Sequence, residues 1–162
     1  MTLFEDVKKG RCAECHPTGP GPSGEPTLFT DFTYDNLRVP KNAENPYYYL
    51  PKSLNPAGTK FVDMGLGSVV KKPEENGKFR VPTLRNIALT APYMHNGIFK
   101  TLRQVVAFYN TRDVGPWPEP EVSQNVNHEE LGNLVLNERE VDDIVAFLHT
   151  LTDGYEPSEI SR

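Results

Sequence analysis

The sequence lacks long apolar runs, an excess of positive charge and a recognisable leader. No stretch approaches the roughly 18 apolar residues that a membrane-spanning helix needs, so no membrane span is expected. Lys and Arg total 17 against 22 Asp and Glu, a net charge of −5 that disfavours a nucleic-acid-binding protein. Residues 1–6 have neither the basic nor the apolar region of a signal peptide, so none is expected in this chain.

Apolar residues are also scarce for a chain of this length. They make up 37% of the sequence, while 12 Gly and 15 Pro exceed the usual share of these residues. This composition predicts a loop-rich protein with a thin core. A length of 162 residues suits one compact domain, which we predict to span residues 1–162. A bound apolar group would add the mass that such a core lacks.

The chain has two cysteines, and both belong to one motif. Cys12 and Cys15 are separated by two residues and followed directly by His16, which gives the C-x-x-C-H pattern of c-type haem attachment. Two thiols at this spacing can form thioethers with the two vinyl groups on one porphyrin edge. The adjacent imidazole is then placed to ligate the iron. The motif therefore predicts one haem c, bound covalently through Cys12 and Cys15, with His16 as an iron ligand.

Two other interpretations of the cysteine pair agree less well with the rest of the sequence. A redox disulfide of the thioredoxin kind sits in a βαβ context, which the sequence does not indicate. A structural zinc site needs two further Cys or His ligands at suitable spacing, and His95, His128 and His149 are scattered singly. In either case the preparation would be colourless.

Covalent haem attachment also predicts where the protein works. In bacteria this attachment follows export, so the mature protein is expected in the periplasm or otherwise outside the cytoplasm. Thioether formation protects both sulfurs in that oxidising environment.

Helices are the main regular structure that the sequence predicts. They span Thr2 to Arg11, Pro82 to Leu89, Thr101 to Asn110 and Asn137 to Leu151. The first, third and fourth begin with a capping residue followed three positions later by Glu or Gln, which is the pattern of a capping box. The third and fourth carry apolar residues at helical spacing, and on the third this face includes Tyr109.

Long loops rich in Pro, Gly and Asn are predicted between the helices, from Pro17 to about Lys60 and from Asp113 to about Asn133. Aromatic residues punctuate the first loop. We interpret them as anchors that pack an irregular segment against the haem or its neighbours. The alternative is a pair of short strands with exposed tyrosines.

The second axial ligand decides what a haem held by His16 does, because an open position permits peroxide binding and a thioether favours simple electron transfer. The candidates are Met64, Met94, His95, His128 and His149. Met64 and Met94 both lie on loops, and composition hardly separates them. His128 and His149 are predicted to be exposed. His95 adjoins Met94, and two neighbouring residues do not easily reach one iron.

A long central stretch resembles a known family. Residues Gly77 to Gly97, with the later segments Thr101 to Asn110 and the last helix, closely resemble the C-terminal haem domain of bacterial dihaem cytochrome c peroxidases and the related MauG proteins. The resemblance spans nearly the whole chain. It implies a mostly α, cytochrome c-like helical domain wrapped around one covalently bound haem, with long Pro- and Gly-rich loops. It also implies that Met94 is the distal ligand of an electron-transferring haem, a position where MauG-type members carry tyrosine.

The sequence departs from that family in having one haem motif instead of two. The family's peroxide-reducing haem would then be missing. We therefore predict a monohaem c-type cytochrome that carries single electrons, with iron ligated by His16 and Met94, and not an enzyme in its own right. The alternative is a haem domain of a peroxidase or MauG-type oxidoreductase that reduces peroxide. Predicted redox partners are another cytochrome, a cupredoxin or a partner haem domain.

Minor assignments complete the sequence-based prediction. Arg85 is a candidate to neutralise a haem propionate by bidentate pairing, or else a surface arginine. Tyr93 and Asn96 are candidates for hydrogen bonding near the distal ligand. Trp117, the only tryptophan, is either a docking residue or, as we favour, a loop anchor.

Overall fold

The computed structural model describes residues 1–154, which form a small helical domain with extensive loops. Within that range the α-helices are α1 (Thr2–Glu5), α2 (Leu66–Val70), α3 (Leu102–Thr111) and α4 (Glu138–His149). Short 3₁₀ turns lie at Cys12–Glu14, Pro46–Tyr49, Gly58–Lys60, Pro73–Glu75 and Ile87–Leu89. Two strands, β1 (Tyr34–Asp35) and β2 (Phe79–Arg80), pair antiparallel with Tyr34 opposite Arg80. None of the helices in this part of the chain is long and apolar enough to cross a membrane.

The two long helices, α3 and α4, form the packed part of the fold. Two of the three predicted capping boxes are confirmed, at Thr101 with Gln104 and at Asn137 with Glu140. Each box satisfies backbone N–H groups that the first helical turn leaves without partners. The core that α3 and α4 share with α1 is built from apolar side chains: Phe4, Val106, Phe108, Val141, Ile144 and Leu148.

The predicted helix from Thr2 to Arg11 is wrong beyond its first turn. Helix α1 ends at Glu5, and Asp6 has an extended backbone with its carboxylate accepting the N–H of Lys8. Thr2 makes no side-chain cap. The short polar side chain of Asp6 offers the backbone a local alternative to the helix, which explains the early end.

The predicted helix from Pro82 to Leu89 is also wrong, since only Ile87–Leu89 form a 3₁₀ turn. The hydroxyl of Thr83 accepts the N–H of Arg85, which is a local turn that competes with a helix.

The irregular course predicted for the first long loop is confirmed, but its aromatic residues divide into two groups. Tyr48 is buried, and Phe29 contacts Phe147 of α4 edge-on at 6.3 Å. Phe32 and Tyr49 remain largely exposed. The anchoring interpretation therefore holds for some of these rings and fails for others.

Candidate haem site

A cavity of about 630 Å³ lies between the cysteine motif, helices α3 and α4, and the chain from Gly77 to His95. Its walls are mainly apolar, and its volume falls in the range of roughly 300–1,000 Å³ typical of small-molecule sites. The cysteine and histidine side chains of the motif and the side chains of Arg85 and Met94 all line this cavity. The residues that the sequence singled out for haem binding are thus brought together.

The cysteine motif forms a single helical turn. Residues Cys12–Glu14 are 3₁₀, and the N–H of His16 donates to the carbonyl of Cys12 at 2.9 Å. Arg11 precedes the turn with a positive φ of 53°, and its guanidinium binds the carboxylate of Glu14. This turn places both thiols and the imidazole on the same cavity wall.

Both thiols are protonated in this environment, and they are not joined in a disulfide. Burial raises the pKa of Cys12 to about 12. Burial, with a further contribution from the neighbouring carboxylate of Glu130, raises the pKa of Cys15 to about 12. In the described residues the cluster with metal-ligand spacing is Cys15, Asp35 and Glu130, which omits Cys12 and His16. The arrangement therefore favours thioether attachment over a zinc site that uses both sulfurs.

The imidazole of His16 is oriented by a backbone carbonyl. Its Nδ1 lies 2.7 Å from the oxygen of Phe29, a contact in which Nδ1–H is the donor. Burial lowers the pKa of His16, which favours the neutral imidazole. With Nδ1 engaged, Nε2 is the nitrogen available to a metal, and such a second hydrogen bond is what fixes the tautomer of ligating histidines.

Met94 sits on a strained turn. Its φ of 69° lies in the left-handed region, which costs a non-glycine residue about 1–3 kcal/mol. The turn is closed by two backbone hydrogen bonds, from Tyr93 N–H to Phe99 at 2.8 Å and from Gly97 N–H to Met94 at 3.2 Å. The buried Tyr93 ring further fixes the turn, since its hydroxyl donates to the carbonyl of Ile87.

Tyr109 of α3 also contacts the side chain of Met94. Its hydroxyl lies 3.7 Å from the sulfur of Met94, within hydrogen-bond distance for sulfur. Burial raises the pKa of Tyr109, so the phenol keeps its proton. The sequence placed Tyr109 on the apolar face of its helix but gave it no functional role. The signal for one was a hydroxyl on an otherwise aliphatic face.

The other candidates for the second axial ligand are less suitably placed. Met64 is exposed and does not line the cavity, and neither do His128 and His149, which are exposed as predicted. His95 does line it, but its ring stacks on Phe79 at 3.6 Å. Met94 and His95 are thus the candidates that line the cavity.

His95 also faces a buried carboxylate that the sequence did not identify. Its Nε2 lies 3.8 Å from Oε2 of Glu121, whose side chain is 3% exposed. Tyr48 donates to the other oxygen of that carboxylate at 3.1 Å. Both His95 and Glu121 line the cavity.

The minor assignments have mixed outcomes. Arg85 lines the cavity, while its Nε donates to the carbonyl of Thr27 at 2.6 Å, so its role towards a propionate stays a prediction. Asn96 is buried and binds the carbonyl of Pro40. Trp117 is confirmed as a loop anchor, since its ring packs edge-on against Phe108 at 5.1 Å.

The residues of the site fit a haem c. A large apolar cavity, two adjacent thiols on one wall, a neutral imidazole with a defined tautomer and a thioether on the wall together supply what such a group requires.

Comparison with known proteins agrees with this chemistry. No protein-family model matches the chain. Over 90% of its length it is 39% identical to the methylamine utilization protein MauG of Paracoccus denitrificans, of which it covers 40%. Over 94% of its length it is 35% identical to the cytochrome-c peroxidase IdrP1 of Pseudomonas sp. strain SCT, of which it covers 38%.

A solved structure gives the same result. A tyrosine-to-methionine variant of the dihaem peroxidase BthA from Burkholderia thailandensis matches with a TM-score of 0.74 and 34% identity, over 94% of this chain and 41% of that one. The chain thus spans about two fifths of the length of these relatives. The chain is thus similar to the bacterial dihaem cytochrome c peroxidases and MauG proteins over about nine tenths of its length, and this likeness is consistent with the C-terminal haem domain of that family.

Proposed function

We propose that this chain is a haem c domain of a peroxidase or MauG-type oxidoreductase, with one haem attached through Cys12 and Cys15. The comparisons favour this alternative over an independent electron carrier, because the relatives are peroxidases and MauG proteins and are much longer than the chain. The observation that carries the proposal is that one apolar cavity is lined by Cys12, Cys15, His16 and Met94.

Within such an oxidoreductase the part played by this domain is single-electron transfer. Reduction of hydrogen peroxide to two waters consumes two electrons and two protons, and a haem carrier would deliver these electrons one at a time, because its iron exchanges a single electron. When bound, the haem supplies an iron that gains and loses one electron, and thioether ligation favours its ferrous form. His16 and Met94 are the proposed axial ligands.

The chain's own residues prepare the site for this role. The carbonyl of Phe29 holds the His16 ring so that Nε2 faces outwards from that contact. The turn closed by Tyr93 and Phe99 presents Met94 in one backbone conformation. The apolar walls exclude water, which keeps both ligands in place and limits rearrangement when the charge of the site changes.

The redox partner and the compartment follow from this proposal. A partner haem domain is the favoured electron acceptor, because a solved structure that this chain resembles is that of a dihaem peroxidase. A cytochrome or cupredoxin would then serve as the electron donor. Because covalent haem attachment follows export in bacteria, we expect the domain in the periplasm or another compartment outside the cytoplasm. Arg85, which lines the cavity, is the proposed partner of a haem propionate.

The axial ligands are tested with optical spectra of the holoprotein in both oxidation states. We expect the oxidised protein to show the weak far-red methionine-to-iron band and to bind cyanide slowly. Met94→Ala should abolish the band and lower the midpoint potential, whereas the control Met64→Ala should leave both unchanged. A band that survives Met94→Ala would transfer the ligand role to another residue.

Whether this haem transfers electrons or reduces peroxide is tested by mixing the reduced holoprotein with hydrogen peroxide in the absence of a partner. A six-coordinate electron-transfer site should be oxidised only slowly. Rapid catalytic turnover by the chain alone would instead assign peroxide reduction to this haem.

A further inference from the structure

We propose that Tyr109 is a positioning residue for Met94, whose hydroxyl donates a hydrogen bond to the methionine sulfur and thereby raises the reduction potential of the site. The inference rests on the proposed ligation of iron by Met94 and adds a second residue that controls it. It starts from the 3.7 Å separation between Oη of Tyr109 and Sδ of Met94.

Tyr109 is held by a rigid element. It belongs to α3, which begins with the capping box of Thr101. Its neighbour Asn110 is buried and clamps the end of the helix to the chain after α3, donating to the carbonyl of Leu136 and accepting its N–H, both at 2.9 Å. The hydroxyl is therefore placed by the helix and not by a mobile loop.

The direction of the hydrogen bond follows from the chemistry of the two groups. A thioether sulfur has no proton and can only accept. A phenol has an ordinary pKa of about 10 and therefore carries its proton, and can donate, at neutral pH. The sulfur has two lone pairs, and one can accept from Tyr109 while the other remains for a metal.

This contact has a positional consequence. Methionine is an unbranched side chain with three rotatable bonds, so a favourable backbone alone does not fix its sulfur. The strained turn fixes the backbone of Met94, and the hydroxyl of Tyr109 selects one position for the sulfur. Without the hydroxyl the side chain regains rotamers.

The contact also has an electronic consequence. A hydrogen bond to the sulfur withdraws electron density from it, which makes it a weaker donor. Ferric iron depends more on ligand donation than ferrous iron does, so the bond destabilises the oxidised form relative to the reduced one. Hydrogen bonds around ligating atoms tune potentials in this way.

The test is Tyr109→Phe in the holoprotein, which keeps the ring and removes the hydroxyl. We expect the far-red methionine band to persist and the midpoint potential to fall. At a fixed ambient potential near the midpoint, the ferrous-to-ferric ratio should drop by about threefold, as loss of a weak hydrogen bond predicts. The matched control is Tyr48→Phe, which removes a buried hydroxyl that binds Glu121 instead of the methionine. A potential unchanged in Tyr109→Phe, or lowered equally in both variants, would overturn the inference.

A measurement on the unmodified protein keeps the inference testable if the variant fails to take up haem. In proton NMR of the ferrous form, the hydroxyl proton of Tyr109 should exchange slowly and show a contact with the side chain of Met94. A hydroxyl proton with no such contact would contradict the proposal. If the parent protein lacks the far-red methionine band altogether, the proposed ligation fails first, and this outcome is distinct from the failure of the role of Tyr109 alone.

Discussion

The carbonyl oxygen of Phe29 lies 2.7 Å from Nδ1 of His16, and His16 precedes Phe29 by thirteen residues in the chain. The backbone of Phe29 itself has a positive φ of 52°, and its ring contacts Phe147 of α4. A loop held by its aromatic side chain therefore sets the orientation of a histidine that belongs to a different segment. The contact makes Nδ1 the protonated nitrogen and leaves Nε2 for a metal.

This relationship predicts the protonation pattern of His16 in the ferrous holoprotein. We expect ¹⁵N NMR to show a proton on Nδ1 that exchanges slowly with solvent, because the hydrogen bond and the burial of the ring protect it. The comparison within the same spectrum is His128, whose ring is 62% exposed and lies 2.9 Å from the carboxylate of Asp113. Rapid exchange at His16, as fast as at His128, would contradict the orientation described here.

The capping box of α4 predicts a measurable loss of stability on Asn137→Ala. The side chain of Asn137 accepts the N–H of Glu140 at 3.0 Å, and replacing such a cap by alanine costs about 1 kcal/mol. Urea unfolding of the holoprotein should show this loss as a lower midpoint with an unchanged slope. Asn133→Ala, at an exposed position in the preceding loop, is the control and should change the midpoint little.

The capping boxes also show which features the sequence could predict. At Thr101 and Asn137 the signal is local: a capping residue and its partner three positions on, followed by a long amphipathic stretch. The same pattern at Thr2 and Glu5 did not produce a capped helix. There the side chain of Asp6 accepts the N–H of Lys8 and the helix ends after one turn, although Phe4 of that turn is buried in the core.

The candidate site likewise has one part that the sequence predicts and another part that it does not. The cysteine motif is evident from the sequence because its three haem-binding residues are close in the chain and their spacing reflects the chemistry of one porphyrin edge. The contacts that complete the site join residues far apart in the chain, such as Tyr109 with Met94 and His95 with Glu121. Periodicity placed Tyr109 on the correct helix face, but only tertiary packing turns that face towards the cavity. No local pattern could supply that information.

A buried arginine predicts a large effect on stability. The side chain of Arg112 is fully buried, donates to the carbonyls of Leu37 at 2.7 Å and Leu131 at 3.4 Å, and pairs with Asp113. Arg112→Met would remove the donor to these buried carbonyls and the positive charge that pairs with Asp113. Loss of one member of a buried charged group typically costs about 3–5 kcal/mol. We expect a loss of that size in urea unfolding of the holoprotein.

Arg103→Met provides the contrast for this prediction. Arg103 pairs with Glu138 and Asp142 on the exposed side of α3 and α4, where water screens the interaction. Its replacement should change stability little. Arg112→Lys should be intermediate, because it keeps the charge but loses the planar fork that reaches two loops. Equal effects of Arg112→Met and Arg103→Met would show that Arg112 does not join these loops.

The contact between Tyr48 and Glu121 predicts how stability depends on alkaline pH. The hydroxyl of Tyr48 donates to the carboxylate at 3.1 Å. Burial, and then the negative charge of Glu121, raise the pKa of Tyr48 to about 12. An unfolded tyrosine releases its proton near pH 10, so above about pH 10 the unfolded state holds fewer protons than the folded one. The free energy of unfolding contributed by Tyr48 is therefore full below about pH 10 and falls as the pH rises towards about 12.

The measurement is urea unfolding of the holoprotein at a series of pH values from about 9 to about 11. Tyr48→Phe should remove part of the alkaline slope, amounting to about 1–2 kcal/mol over the whole transition after allowance for screening by solvent. Tyr49→Phe, at an adjacent exposed residue whose hydroxyl binds the carbonyl of Ala43, controls for the loss of a phenol as such. If Tyr48→Phe kept the full alkaline slope, the proton of Tyr48 would be no harder to remove in the folded protein than in the unfolded chain, and the buried pair with Glu121 would have no part in alkaline unfolding.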